Sequence, residues 1–101
     1  MNYRDMALFA AKILDDKKAQ DVVIIDIGQK SAFADYMIIA SGNSTRQIGT
    51  LCDEVEDQFE KKDILVGHIE GKKESGWLLM DYNDIIINIL IKEMREKYNI
   101  K

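Results

Sequence analysis

The side chains that could do chemistry in this chain are few and scattered. His68 is the only histidine. It falls in a predicted strand with Glu70 two residues on, and no other ligand stands at metal-binding spacing, so a structural or solvent-exposed imidazole is expected and no metal site. Cys52, the single cysteine, falls on the apolar stripe of a predicted helix. A small buried side chain is the ordinary occupant there, which sets a catalytic thiol aside. Gly42-Asn43-Ser44 precedes that helix and could cradle a phosphate on free backbone N–H groups, although any strand-to-helix turn with a capping serine has the same form. Asp81 and Asp84 flank a predicted turn and could pair as acid and base or hold a divalent ion; turn chemistry by itself also favours Asp and Asn at such places. No catalytic constellation emerges, and no cofactor is expected. An enzyme remains the alternative reading and a binding module the leading one.

Trp77 is the residue that composition explains least. It opens a stretch, Gly76 to Ile91, that reads as two strands folded back through Asn83-Asp84, a β-hairpin. A two-residue loop of type I′ requires positive φ at both central positions, which Asn and Asp tolerate. That turn sets Tyr82 opposite Ile85, Met80 opposite Ile87 and Leu78 opposite Ile89, all on one apolar face. The other face carries Trp77, Leu79 and Asp81 against Ile86, Asn88 and Leu90. A large aromatic thus shares a surface with a carboxylate and an amide, either as a satellite of the core or as the anchor of an interface, where tryptophan is enriched among binding hot spots.

The remaining elements must position this hairpin. Tyr3, Met6, Ala7, Ala10, Ile13 and Leu14 recur at helical spacing up to about Lys17, with Asn2 as a cap. Asp21 to Ile27 is rich in β-branched residues and reads as a central strand. Gln29 to Asp35 reads as a loop with one helical turn, which makes Tyr36 to Ser41 a strand antiparallel to the first. Ser44 and Gln47 have capping-box spacing before a second helix with the stripe Ile48, Leu51, Cys52, Val55 and Phe59. The acidic residues of that helix, Asp53 to Glu60, form a solvated face. Ile64 to Ile69 is predicted as a third strand reached by a right-handed crossover, residues 70–76 as a polar loop, and Lys92 to Tyr98 as a short terminal helix. The expected fold is α+β: a mixed five-stranded sheet with helices packed on it.

At 101 residues the chain is expected to form one domain, 1–101, with a single core. Hydrophobic residues make up 47% and charged residues 32%, and proline is absent, the balance of a globular domain. Lys plus Arg number 14 against 18 Asp plus Glu, for a net charge of -4. That argues against a broad phosphate-binding surface and for a basic protein partner. The N-terminal pattern is amphipathic rather than that of a signal segment, and no apolar run approaches a membrane span, so a soluble cytoplasmic domain without membrane contact is expected. A lone cysteine agrees with a reducing compartment.

Asp16-Lys17-Lys18-Ala19-Gln20-Asp21-Val22-Val23, Ala34-Asp35-Tyr36-Met37-Ile38-Ile39-Ala40-Ser41-Gly42, Ser44-Thr45-Arg46-Gln47 and Gly76-Trp77-Leu78-Leu79-Met80-Asp81-Tyr82-Asn83-Asp84-Ile85 closely resemble the ribosomal silencing factor family, also called the Iojap family. The blocks span nearly the whole chain in the family's order. The resemblance implies a nucleotidyltransferase-like fold without the catalytic residues, since Gly42 is followed by Asn43 rather than Ser and no Asp-x-Asp follows; a nucleotidyltransferase-like enzyme acting on a nucleotide is the alternative. It implies a factor that docks on the large ribosomal subunit through the conserved large-subunit protein numbered fourteen. There the factor blocks joining of the small subunit and lowers translation when nutrients are scarce. It allows a homodimer when the factor is free. Trp77, Leu79, Asp81, Tyr82 and Asp84, in the most recognisable block, are the expected protein-binding residues. Two departures stand out: Asn83 where the family commonly has Gly, and Asn88 where it commonly has His. The family also tends to continue past the Arg-x-x-Tyr pattern matched by Arg95 and Tyr98 into a further tail.

Overall fold

The computed structural model describes residues 2–28 and 34–97. The elements are α1 (Tyr3–Asp16), β1 (Gln20–Asp26), β2 (Tyr36–Gly42), α2 (Thr45–Glu60), β3 (His68–Lys72), β4 (Trp77–Asp81), β5 (Ile85–Ile91) and α3 (Lys92–Lys97), with a 3-10 turn at Lys73–Ser75. The five strands lie in the order β1-β2-β5-β4-β3. β2 and β5 run parallel, and every other neighbouring pair is antiparallel. This is the mixed α+β sheet expected from the sequence.

Capping fixes both long helices at their starts. The Asn2 side chain accepts the Asp5 N–H at 2.8 Å and the Ser44 hydroxyl accepts the Gln47 N–H at 3.1 Å, each satisfying one donor that the first helical turn leaves unpaired. The return half of the capping box differs from the expectation. The Gln47 side-chain oxygen takes the N–H of Asn43, one residue before the cap, while its amide donates to the Lys18 carbonyl at 3.3 Å and so ties α2 to the end of α1. Both helices stop by the same device. Lys18 and Asp63 adopt φ of 69° and 61°, and the following residues bond back five positions, Ala19 N–H to Leu14 C=O at 2.9 Å and Ile64 N–H to Phe59 C=O at 3.0 Å. These are Schellman ends built without glycine.

The core lies between the helices and one face of the sheet. Met6, Ala7, Ala10, Ile13 and Leu14 of α1 and Ile48, Leu51, Val55 and Phe59 of α2 meet Ile38 and Ala40 of β2, Leu78 and Met80 of β4, and Ile85, Ile87 and Ile89 of β5. Phe59 stands at the centre, stacked on Phe9 at 5.3 Å and tilted against Tyr82 at 4.6 Å between ring centroids. Both helical stripes read from the sequence are buried, apart from Tyr3 at the first position of α1, which is 44% exposed.

Three expectations are corrected. The strand predicted to be central, β1, lies at the sheet edge; its β-branched residues are half-buried because it has one neighbour, and β5, buried along most of its length, takes the middle. A bulge between Gln20 and Val23, with Asp21 at φ 50°, twists this edge out of a regular ladder. The third strand does not run from Ile64 to Ile69. Ile64 is used up as the apolar residue after the Schellman end of α2, where it packs on the core, and Leu65 is 74% exposed. The strand begins instead at His68 and extends into the segment read as a loop. It pairs with β4 at the far edge, and β5 rather than β3 is the parallel neighbour of β2. The hairpin register is as expected, with Met80 opposite Ile87 and Leu78 opposite Ile89, but the turn is not type I′. Within it only Asn83 has positive φ, 71°, and Asp84 N–H bonds to Tyr82 C=O at 2.9 Å, the two-residue span of a γ-turn. The Tyr82 N–H to Ile85 C=O bond at 3.0 Å keeps the register. Most of the helical turn expected between Gln29 and Asp35, and Tyr98 at the end of the terminal helix, lie outside the described residues.

Candidate functional site: the sheet face away from the long helices

Strand alternation sends Trp77, Leu79 and Asp81 to the face opposite the core. The same parity brings Val23 and Ile25 from β1, Met37 from β2 and Ile86 from β5 to that side. All seven are half-buried, and they form a band that crosses the sheet from its β1 edge to β4. The long helices both pack on the other face. Among the described elements only α3 crosses this one. Arg95 holds it there, its guanidinium donating to the Asp21 carbonyl at 2.6 Å and to the Ser41 hydroxyl at 2.8 Å. Where α3 approaches β4 the chain passes through Gly76 at φ 82°, where a Cβ would stand 2.8 Å from Ile91 Cδ1 and 3.0 Å from Met94 Cγ. That close approach requires glycine.

Beside α3 a cavity of about 380 Å³ opens, lined by Trp77, Leu79, Met94, Glu70, Gly71 and Ser75. The indole N–H of Trp77 donates to the Asn88 side-chain oxygen at 3.0 Å. Tryptophan and asparagine are thus joined on the face where the hairpin register put them. Glu70 and Lys72 of β3 lie opposite Leu79 and Trp77, and Glu70 meets His68 at 3.1 Å. The floor of the surface is apolar, and its rim at the β3 edge carries charges of both signs.

The other predicted site residues part company. Asp81 shares the face of Trp77 but sits four residues along β4, about 13 Å away at strand rise, and its carboxylate accepts the Asn83 N–H at 2.7 Å. Its first duty is to the turn. Tyr82 is 4% exposed on the core face, its hydroxyl without a hydrogen-bond partner among the described residues; burial pushes its pKa up, with the Glu56 and Cys52 charges adding to the effect. It offers no surface to a docking partner. Asp84, in the β4–β5 turn, faces the start of α1, where its carboxylate raises the pKa of the Tyr3 phenol, while its backbone carbonyl accepts from Asp35 N–H at 2.7 Å. The two aspartates therefore serve separate structural tasks. Cys52 is buried, and desolvation first, then Asp53 and Glu56, pushes its thiol up to about 11; the shift is opposite to that of an activated nucleophile. His68 is exposed. Among the described residues, no group of three or more His, Cys, Asp or Glu could hold a metal ion, and no helix is long and apolar enough to cross a membrane.

Sequence reading missed Val23, Ile25 and Met37, because placing β1 at the centre of the sheet hid the side that β1 and β2 leave open. It also missed Met94 and Glu70, which reach the cavity from elements whose position is tertiary. The signal for the strand residues among them was the two-residue period, readable once strand order is known.

These features define an α+β domain with a half-buried, largely apolar band on the sheet face opposite its two long helices. The chain belongs to the ribosomal silencing factor family: the family profile described as ribosomal silencing factor during starvation matches residues 1–101. The ribosomal silencing factor RsfS of Bacillus subtilis is 35% identical over 101 residues, covering 100% of this chain and 86% of that protein. The Zymomonas mobilis factor of the same name is 39% identical over 88 residues, 87% of this chain and 66% of its own length. The chloroplastic protein Iojap of Arabidopsis thaliana is 30% identical over 95 residues, and the match spans 40% of that longer chain. A crystal structure of a Chromobacterium violaceum protein superposes with a TM-score of 0.94 at 25% identity, covering 99% of this chain and 83% of that one. A second, from Bacillus halodurans, gives 0.85 at 28% identity, with 95% and 90% covered.

Proposed function

We propose that this protein represses translation by binding the large ribosomal subunit and obstructing its union with the small one. The observation that carries the reading is the half-buried band on the open sheet face, from Val23 and Ile25 through Met37 and Ile86 to Leu79 and Trp77. Family membership supplies the ribosomal context. In this reading the face docks on a basic large-subunit protein, the one numbered fourteen, with Trp77 and Leu79 as apolar anchors and Asp81 and Glu70 supplying charge at the border. The factor acts by occupancy and not by turnover. Tyr82 and Asp84, turned to the core and to α1, drop out of the contact set.

Subunit joining tests this directly. Purified large subunits are saturated with the protein, small subunits are added, and the joined particles are separated by sucrose-gradient sedimentation. The joined peak should fall in proportion to occupancy without added nucleotide, and Trp77→Ala should restore it. Unchanged joining at saturating protein would falsify the reading. Sedimentation of the unbound protein reads its monomer or dimer state in the same series.

A further inference from the structure

Among the described residues two polar side chains are buried, Ser41 at 1% and Asn88 at 5% exposure, and both lie on the open face of the sheet. Arg95 accounts for Ser41. Asn88 is harder to account for. It occupies the middle of β5, between Ile39 of β2 and Leu79 of β4 in register, where strand packing alone would choose an aliphatic residue. Burying a carboxamide in such surroundings is unfavourable unless it is hydrogen-bonded. Its oxygen accepts the Trp77 indole N–H at 3.0 Å. Trp77 is paired with Leu90, so Asn88 is its diagonal neighbour on the same face, within reach of a long aromatic side chain.

The geometry points to Asn88 as the positioning residue of the docking surface: by accepting the indole N–H it fixes the ring of Trp77 as a wall of the cavity completed by Leu79 and Met94. An indole turns about two side-chain torsions, and a half-buried one at a strand start is not held by packing on every side. A directed bond from a buried acceptor favours one orientation before the partner arrives. The affinity of a preorganised anchor is not reduced by the cost of ordering it on contact. The inference rests on the docking role given to Trp77 above.

Trp77 is the only tryptophan, so its fluorescence reports this ring alone. Three proteins are compared: the parent, Asn88→Leu, which removes the acceptor at similar volume, and Asn88→His, which returns a ring nitrogen able to accept. Urea unfolding, time-resolved indole anisotropy and titration onto purified large subunits are measured for each. Asn88→Leu should unfold at the same or higher urea, show faster local motion and a shifted emission of the indole, and bind large subunits about tenfold more weakly, about 1.4 kcal/mol. Asn88→His should recover the slow indole motion and most of the affinity. An indole as immobile in Asn88→Leu as in the parent overturns the proposal, as does a variant that merely loses stability while its tryptophan signal and affinity hold. If the parent itself does not bind large subunits, the docking reading fails, and the anisotropy comparison still decides whether Asn88 orders the ring.

Discussion

At the scale of single residues, Trp77 and Tyr82 make opposite predictions although five positions apart in one hairpin. Trp77 is half-buried on the open face; Trp77→Ala should weaken large-subunit binding by about 2 kcal/mol or more, as for a hot-spot anchor, with a smaller loss in urea stability. A stability loss of about 3 to 5 kcal/mol with normal affinity of the folded fraction would instead mark a core residue. Tyr82 buries a hydroxyl that no group among the described residues satisfies. Removing an unpaired buried polar group relieves its desolvation cost, so Tyr82→Phe should raise the urea midpoint, by up to about 1 kcal/mol in stability, and leave binding unchanged. Cys52 gives a pH signature. Its thiol is held near 11, above its ordinary value of 9.0, so the folded state keeps a proton that the unfolded state releases. Stability from this group is intact below about pH 9 and declines as pH rises through 11. Urea midpoints at pH 7, 9 and 10.5 should fall across that window, and less steeply in Cys52→Ala. For the same reason, disulfide-exchange reagents should label Cys52 at neutral pH only as fast as the protein opens.

At the scale of elements, the β3–β4 hairpin decides whether the cavity beside Trp77 exists. Gly71 has φ 85°, and a Cβ there would run into the Trp77 carbonyl oxygen. Gly71→Ala should therefore cost about 1 to 3 kcal/mol through backbone strain and steric conflict. Because the conflict falls on Trp77 itself, binding should suffer with it, and hydrogen exchange should quicken in β3 and β4 while α1 and α2 remain protected. Equal quickening everywhere would show that the edge hairpin and the helices open as one unit. The helix starts behave differently. Ser44 caps α2 through one bond at 3.1 Å, and Ser44→Ala should cost about 1 kcal/mol with no effect on affinity, since the cap lies at the end of α2 rather than on the open face.

At the scale of the whole molecule, the net charge of -4 bears on rate and salt dependence more than on fold. Association with a basic subunit protein should slow as ionic strength rises, whereas dissociation, governed by apolar contact at Trp77 and Leu79, should change little. Asp81→Asn, which keeps an acceptor for the Asn83 N–H, should lower the association rate mainly at low salt. The sequence by itself determined the amphipathic stripes, the caps at Asn2 and Ser44, the hairpin register and the placing of Trp77 and Asn88 on one face. Each of these is local: it follows from the helical or strand period, or from a turn only a few residues long. The four blocks of family-like residues also carried the family. Tertiary structure alone decided the strand order, which moved β1 to an edge and β3 beside β4, because pairing between distant strands depends on which surfaces the packed helices leave to be covered. The use of Ile64 as a helix-end contact was settled in the same way. Strand order also fixed what lies on the open face, since the residues of β1 and β2 meet those of β4 and β5 only after the sheet is assembled.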